Sequence, residues 1–282
     1  MSKIRVTKRR KFKNLLRLLI TYLKIRPIGF KNKCSYYICL FLGSWSFFLF
    51  KHSFGMLGKY LRRDIVIKKD GLIYFVRKQS DDISYYGHST LSFKSSTNKW
   101  LQPKIDDVVI DCGAGVAIFS IFSAIVGSKV ISIEPNPETF NVLKMNISLN
   151  KLSIETYNVA LTEFNGTQKL YVPKSNFGLS STLESWFDVD LKDKIFTVKS
   201  ATLDSITVNI TKINWLLIDT EGGELDLLKG GYKSLDKTCK IIIEISDRNR
   251  EGVFKLLELK SFELIQLGSR HGDTEYGFFK KK

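Results

Sequence analysis

Cysteine is scarce: the 282 residues hold four, at positions 34, 39, 112 and 239. None of the spacings is the paired Cys-x-x-Cys or Cys/His pattern of a zinc site, and four scattered thiols make no disulfide framework. They read as reduced, mostly buried thiols in a reducing cytosolic setting. No small-residue cleavage pattern follows a typical signal peptide, so nothing marks the chain for export. Internal repeats and low-complexity tracts are also missing, which argues against solenoid or linker architectures. The most telling absence is acidic: residues 1–63 contain no Asp or Glu, against sixteen Lys and Arg. Residues 64–282 hold 28 bases and 28 acids and are neutral. The net charge of +16 therefore belongs to the N-terminal segment, and the shift marks a boundary near Asp64.

Long apolar runs are wanting as well. The uncharged stretch Cys34 to Phe50 is seventeen residues and includes Ser35, Tyr36, Tyr37, Gly43, Ser44 and Ser46. A membrane-crossing helix needs about twenty apolar residues. A span would also put the twelve bases of residues 1–33 on the side opposite a cytosolic body, against the positive-inside tendency. Phe12 to Ile25 reads as a basic amphipathic helix, with Phe12, Leu15, Leu16, Leu19, Ile20 and Leu23 at helical spacing. The segment is expected to lie on an anionic membrane surface. Helices packed over the following domain, a true span and a nucleic-acid arm are the alternatives.

What is present is concentrated after residue 107. Val108-Val109-Ile110 ends in Asp111 and the turn Cys112-Gly113-Ala114-Gly115; an apolar helix follows over Val116 to Val126. A second strand, Val130 to Ile133, ends in Glu134, twenty-three positions after Asp111. This strand–turn–helix–strand unit is the parallel βαβ pattern of a nucleotide-binding domain. Gly113, Ala114 and Gly115 suit a tight turn that lets backbone approach a ligand. Glu134 sits where an acid accepts hydrogen bonds from two ribose hydroxyls. A nicotinamide dinucleotide fits poorly. Ile118 stands at the third glycine position, and Asp111 would place negative charge near phosphates. An acid there suits the sulfonium and ammonium of S-adenosylmethionine.

Four motifs in order carry a family resemblance: Asp111-Cys112-Gly113-Ala114-Gly115, Glu134-Pro135-Asn136-Pro137, Thr202-Leu203-Asp204, and Ile218-Asp219-Thr220-Glu221-Gly222-Gly223-Glu224. From about Val108 to Glu244 the chain resembles the FkbM-type methyltransferases. The resemblance implies a class I methyltransferase fold, Rossmann-like, with a seven-stranded, mostly parallel sheet. It also implies S-adenosylmethionine as donor, and commonly a sugar hydroxyl as acceptor. Gly115 stands where that family usually has Asn, Ala117 where it often has Gly, and Leu217 where many members carry Lys.

The other elements are read from periodicity. Ile65 to Arg77 is a hairpin around Asp70-Gly71. Asp81 to Trp100 leads in, with Tyr85, Tyr86 and His88 near an acceptor entrance, although a lone His in a polar stretch is ordinarily just solvated. Pro137 to Asn150 is a helix with Pro in its first turn. Ile154 to Asn158 is a strand whose end, Asn158-Val159-Ala160, flanks the adenine. Gly166 to Pro173 and Phe196 to Thr202 are additional strands. Between them, residues 174–194 hold Phe177, Trp186 and Phe187, either an acceptor platform or a pinned loop. Trp215 to Asp219, Lys240 to Glu244, Phe262 to Leu267 and Tyr276 to Lys280 complete the sheet, with helices at Glu224 to Gly230 and Asn249 to Leu259.

These readings divide the chain into a basic segment (1–63), a hairpin and lead-in (64–106), and a methyltransferase domain (107–282). The expected cofactor residues are Asp111, Gly113, Ala114, Gly115, Glu134, Asn136, Asn158 and Ala160. Methylating an alcohol calls for a base, and Asp219 and Glu221 lie at the carboxyl ends of parallel strands, where ligands bind. Glu221 and Glu224 are equally placed to cap the following helix. A divalent ion on Asp219 with Asp204 or Glu244 is conceivable for oxygen ligands. With no His nearby and no diagnostic spacing, no metal is assigned. The expected activity is methyl transfer to a hydroxyl of a sugar, glycan or lipid-linked saccharide, at the cytoplasmic face of the membrane. The competing readings are an RNA- or DNA-directed methyltransferase using the basic arm and a non-catalytic cofactor-binding scaffold.

Overall fold

The computed structural model describes residues 20, 22–50, 58–83, 86, 99–173, 180–183, 192–270 and 272–282, without the side chains of 44–50, 192 and 193. The basic helix expected over Phe12 to Ile25 falls mainly outside these residues, as do Tyr85, His88 and the aromatics Phe177, Trp186 and Phe187. The chain divides into two compact units, Met1–Phe93 and Lys94–Lys282.

In the first unit, β1 (Arg26–Pro27) and α1 (Phe30–Phe50) precede the hairpin of β2 (Ile65–Lys69) and β3 (Leu72–Val76). The hairpin turns on Asp70 (φ 51°) and Gly71 (φ 87°), the two positive φ values that a two-residue turn matching strand twist requires. β1 pairs antiparallel with β2, Pro27 opposite Ile67. Tyr22, Ile25, Tyr36, Cys39, Ile67 and Tyr86 are among its fully buried side chains. Tyr86, expected near an acceptor entrance, instead stacks on Tyr74 at 4.5 Å and donates to the Phe75 carbonyl. The compact units divide between residues 93 and 94, and the breaks expected near 64 and 107 are boundaries of charge and of motif. Charge reports which surface meets solvent or partners. Strand pairing, here across residues 26–76, decides which segments share a core. The 21-residue α1 covers the uncharged run, and among the described residues no helix is long and apolar enough to cross a membrane.

The second unit is mixed α/β. Its strands are β4 (Val108–Cys112), β5 (Lys129–Ile133), β6 (Glu155–Tyr157), β10 (Ile213–Ile218), β11 (Thr238–Ser246), β12 (Phe262–Leu267) and β13 (Thr274–Lys281). They form one sheet in the order β12-β13-β11-β10-β4-β5-β6. The five strands from β11 to β6 are parallel, and β13 inserts antiparallel between β11 and β12. This is the mostly parallel seven-stranded sheet expected. Its central strands are apolar on both faces, as sheets covered by helices must be. Ile110, Leu216 and Ile243 pack on one side; Val109, Trp215, Leu217 and Ile242 pack on the other beneath Trp100 and Phe278. The helices are α2 (Ile118–Ile125), α3 (Pro137–Leu149), α4 (Leu203–Ile206), α5 (Glu224–Gly230) and α6 (Arg250–Leu259).

The additional strands expected after residue 158 form a separate three-stranded sheet, β7 (Ala160–Leu161), β9 (Lys192–Ala201) and β8 (Gly166–Pro173). In the main sheet, β4-β5-β6 advance one way and β10-β11 the other. The direction reverses between β4 and β10, and such a switch point opens a crevice at the strands' carboxyl ends.

Candidate functional site

The turn after β4 is built from positive φ values: 79° at Gly113, 55° at Gly115 and 71° at Ala117. Gly113 and Ala114 N–H groups both donate to the Ile133 carbonyl, at 2.9 and 3.0 Å, tying the turn to β5. The Asp219 N–H donates to the Cys112 carbonyl at 2.9 Å, tying it to β10. A Cβ on Gly113 would lie 1.7 Å from the Asp219 carbonyl oxygen. Only glycine fits there. Gly113→Ala is expected to destabilise the chain by about 2 kcal/mol or more, since backbone must shift, with calorimetric melting as the check. The departures at Gly115 and Ala117 both fall at positive φ, where Asn and Gly are the residues that tolerate it best. Leu217 is 6% exposed and packs in the core with Trp215 and Ile242.

Glu134 ends β5 with both carboxylate oxygens engaged. Oε2 accepts from the Gly115 N–H and Oε1 from the Asn136 N–H, each at 2.9 Å. A carboxylate oxygen accepts two hydrogen bonds, the capacity that ribose hydroxyls use. Asn136 caps α3, accepting from the N–H groups of Glu138 and Thr139, and donates to the Ser180 hydroxyl at 3.0 Å. Asn158 donates to the carbonyls of Glu134 and Pro135 at 2.8 and 3.0 Å. These two asparagines brace the Glu134 loop rather than line the crevice.

The crevice is lined by Gly113, Glu134, Ala160, Asp219, Thr220 and Glu221 among others. Ile133, Val159, Leu161 and Leu170 supply an apolar wall, and Ser180 and Thr182 add hydroxyls. The sequence reading had missed Ser180 and Thr182, which reach the crevice because Ser181 pairs with Tyr171 of β8. Asp111 is placed elsewhere. It is 3% exposed and accepts from the Ser120 hydroxyl at 2.5 Å, beneath the turn. Burial raises its carboxyl to about pKa 6, against the lowering hydrogen bond from Ser120, and the Asp219 charge adds to the rise.

Strand register gathers the acids. Asp111 sits opposite Leu217, and Glu244 opposite Tyr276, all on alternate positions of one sheet face. Two residues beyond Leu217, Asp219 comes beside Glu244. Carboxylate oxygens of Asp219, Glu221 and Glu244 lie within 4.8 Å of one another. Tyr276 donates its hydroxyl to Asp219 Oδ2 at 2.7 Å, Thr274 donates to Glu244 Oε1 at 2.9 Å, and Asp219 and Glu244 share a hydrogen bond. Burial pushes the Glu244 carboxyl up to about 9, and the adjacent Asp219 charge pushes the same way. Asp219 is raised by burial and held down by the hydrogen bonds from Tyr276 and Glu244. Glu244 thus carries the proton of the pair. Three such oxygens also match the donor set of a hard cation.

Two other acids have structural work. Glu224, 1% exposed, accepts from the Gly222 N–H at 2.7 Å and from Asn249 at 2.9 Å. It closes the loop before α5, the helix that Glu221 and Glu224 were both expected to be placed to cap; no side chain caps its N-terminus, and Glu221 lies on the crevice wall at φ 49°. Asp204 accepts from the backbone N–H groups of Lys233 and Ser234, which removes it from any cluster with Asp219.

The linked protonation has a measurable consequence. Glu244 has an ordinary value of 4.5 and a folded value of about 9, so between these the folded chain keeps a proton that the unfolded chain releases. Stability is therefore expected to fall as pH rises across that window. Glu244→Gln, which keeps the donor without ionising, is expected to flatten the fall. Melting temperatures from pH 5 to 9 check this; parallel curves for the two proteins would contradict it.

An apolar wall, a doubly anchored carboxylate and acids at the far strand end suit a nucleoside bearing positive charge, so the lining fits S-adenosylmethionine. Comparison with known proteins agrees. The model of the methyltransferase FkbM domain matches residues 111–275. Methyltransferase 1 of Beauveria bassiana is 24% identical over 181 residues, covering 56% of this chain and 72% of that protein. An uncharacterized RNA methyltransferase of Nanoarchaeum equitans is 32% identical over 91 residues, 29% of this chain and only 20% of its own length. Among solved structures, a ribosomal protein methylase from Lactobacillus delbrueckii aligns at TM-score 0.41 and 14% identity, covering 71% of this chain and 80% of that one. Magnesium protoporphyrin IX methyltransferase from Synechocystis, with bound S-adenosylmethionine, aligns at 0.39 and 11%, covering 64% and 71%. The family match extends over more than half of the residues, and the chain belongs to the FkbM methyltransferases, enzymes that use S-adenosylmethionine.

Proposed function

We propose that this methyltransferase acts on a hydroxyl of a saccharide, with Asp219 as the base. The observation that carries the reading is the Asp219 carboxylate itself, on the wall of the crevice that also holds Glu134 and fixed by Tyr276 and Glu244. Bound in this crevice, the cofactor supplies an activated methyl group. The remaining tasks fall to the protein: aligning the acceptor oxygen, excluding water and taking up the hydroxyl proton. Burial raises the proton affinity of Asp219, which suits a base working near neutral pH. Glu244, already protonated, stabilises the ionised form by hydrogen bonding. Ser180, Thr182, Thr220 and Glu221 offer polar groups to a hydroxyl-rich acceptor. Among the described lining residues there is no aromatic ring on which a nucleobase would stack.

RNA is the second reading, favoured by the short match to an archaeal RNA methyltransferase and by the net charge of +16. Incubating the full chain with tritium-labelled S-adenosylmethionine and either a saccharide panel or total RNA separates the two. Label in an alkali-stable ether on a saccharide is the expected result. Label confined to RNA would overturn the saccharide reading.

A further inference from the structure

We propose that the first unit docks on an anionic lipid bilayer through one face of α1, lying along the surface without crossing it. Phe30, Tyr37, Ile38 and Phe41 are 80, 49, 57 and 65% exposed, and Cys34 is exposed with them. At about 100° per residue these five positions fall within one arc of about 100°. Lys31 and Lys33, both exposed, lie at its two edges. The opposite face is already spent, since Tyr36, Cys39, Leu40 and Gly43 are buried in the unit's own core. Just before the helix, Leu23 and Ile28 are 54 and 42% exposed beside exposed Lys24 and Arg26.

Lipid is favoured by charge and by side-chain type together. Met1–Phe93 holds 20 Lys and Arg against 4 Asp and Glu, which is the whole net charge of the chain. A basic surface alone attracts nucleic acid and lipid alike. Aliphatic Leu23, Ile28 and Ile38 offer no stacking face to a base but partition into acyl chains. Lysines flanking an apolar stripe reach the headgroups while their stems cover apolar surface. The docking face belongs to the first unit alone, and the acceptor chemistry does not enter it.

The test is sedimentation of the full chain with phosphatidylcholine vesicles, with and without phosphatidylserine. Binding to the anionic vesicles alone is expected. Phe30→Ser combined with Ile38→Asp is expected to weaken it by about thirtyfold, and Lys31→Glu with Lys33→Glu by about fivefold for each lysine. All four positions are exposed, so unchanged melting curves will show that the variants fold. Undiminished binding by the Phe30/Ile38 variant would overturn the proposal. So would retention of single-stranded RNA by a chain that ignores both vesicle types.

Discussion

Glu134→Ala is expected to weaken S-adenosylmethionine binding by about a hundredfold or more. Hydrogen bonds to a charged acceptor contribute about 1.5–3 kcal/mol each, and 1.4 kcal/mol is a tenfold change in affinity. Losing two ribose contacts alone reaches that figure. The variant also strips the acceptors from the Gly115 and Asn136 N–H groups, so the turn itself loosens. Glu134→Gln keeps one oxygen and the side-chain shape, and its loss should be smaller, about tenfold. Titration calorimetry on both variants, alongside melting curves to show that they fold, makes the comparison. Alanine binding within about threefold of the parent would remove Glu134 from the ribose site.

Asp219→Asn is expected to lower kcat by about a hundredfold to ten-thousandfold, the usual contribution of a positioned base, while cofactor affinity changes little. Asparagine retains an acceptor for the Tyr276 hydroxyl, so a collapse of the crevice is not the anticipated cause. The pH profile adds a signature that structural damage would not produce. Tyr276→Phe removes a hydrogen bond that holds the Asp219 carboxyl down, so Asp219 protonates more readily. The base must be ionised to act. The acidic limb of the rate profile should therefore move to higher pH in Tyr276→Phe. A profile that keeps its position would mean that Asp219 does not set the limb.

The residues that made the site legible were local ones. The glycine turn and the acid after each strand lie within one βαβ unit, so Gly113 and Glu134 could be placed from spacing alone. The strands that matched best, such as Gly166 to Pro173 and Phe262 to Leu267, are bounded by their own turn residues. Partners set by register across distant strands were hidden. Tyr276 meets Asp219 across 57 positions, and that contact exists only because β13 inserts beside β11. Asp111 was legible as a strand-end acid, yet Ser120 claims its carboxyl from within α2, and nothing in the spacing announces that. The pairing of residues 26–27 with the hairpin was hidden for a related reason. Pro27 opposite Ile67 is a pairing that a shift in composition does not record.

The most direct test of the account is a crystal structure of the full chain with S-adenosylhomocysteine. Both ribose hydroxyls are expected within about 3 Å of the Glu134 carboxylate, with the sulfur side of the ligand toward Asp219. A ligand whose ribose engages other groups, or whose sulfur points away from Asp219, would contradict it.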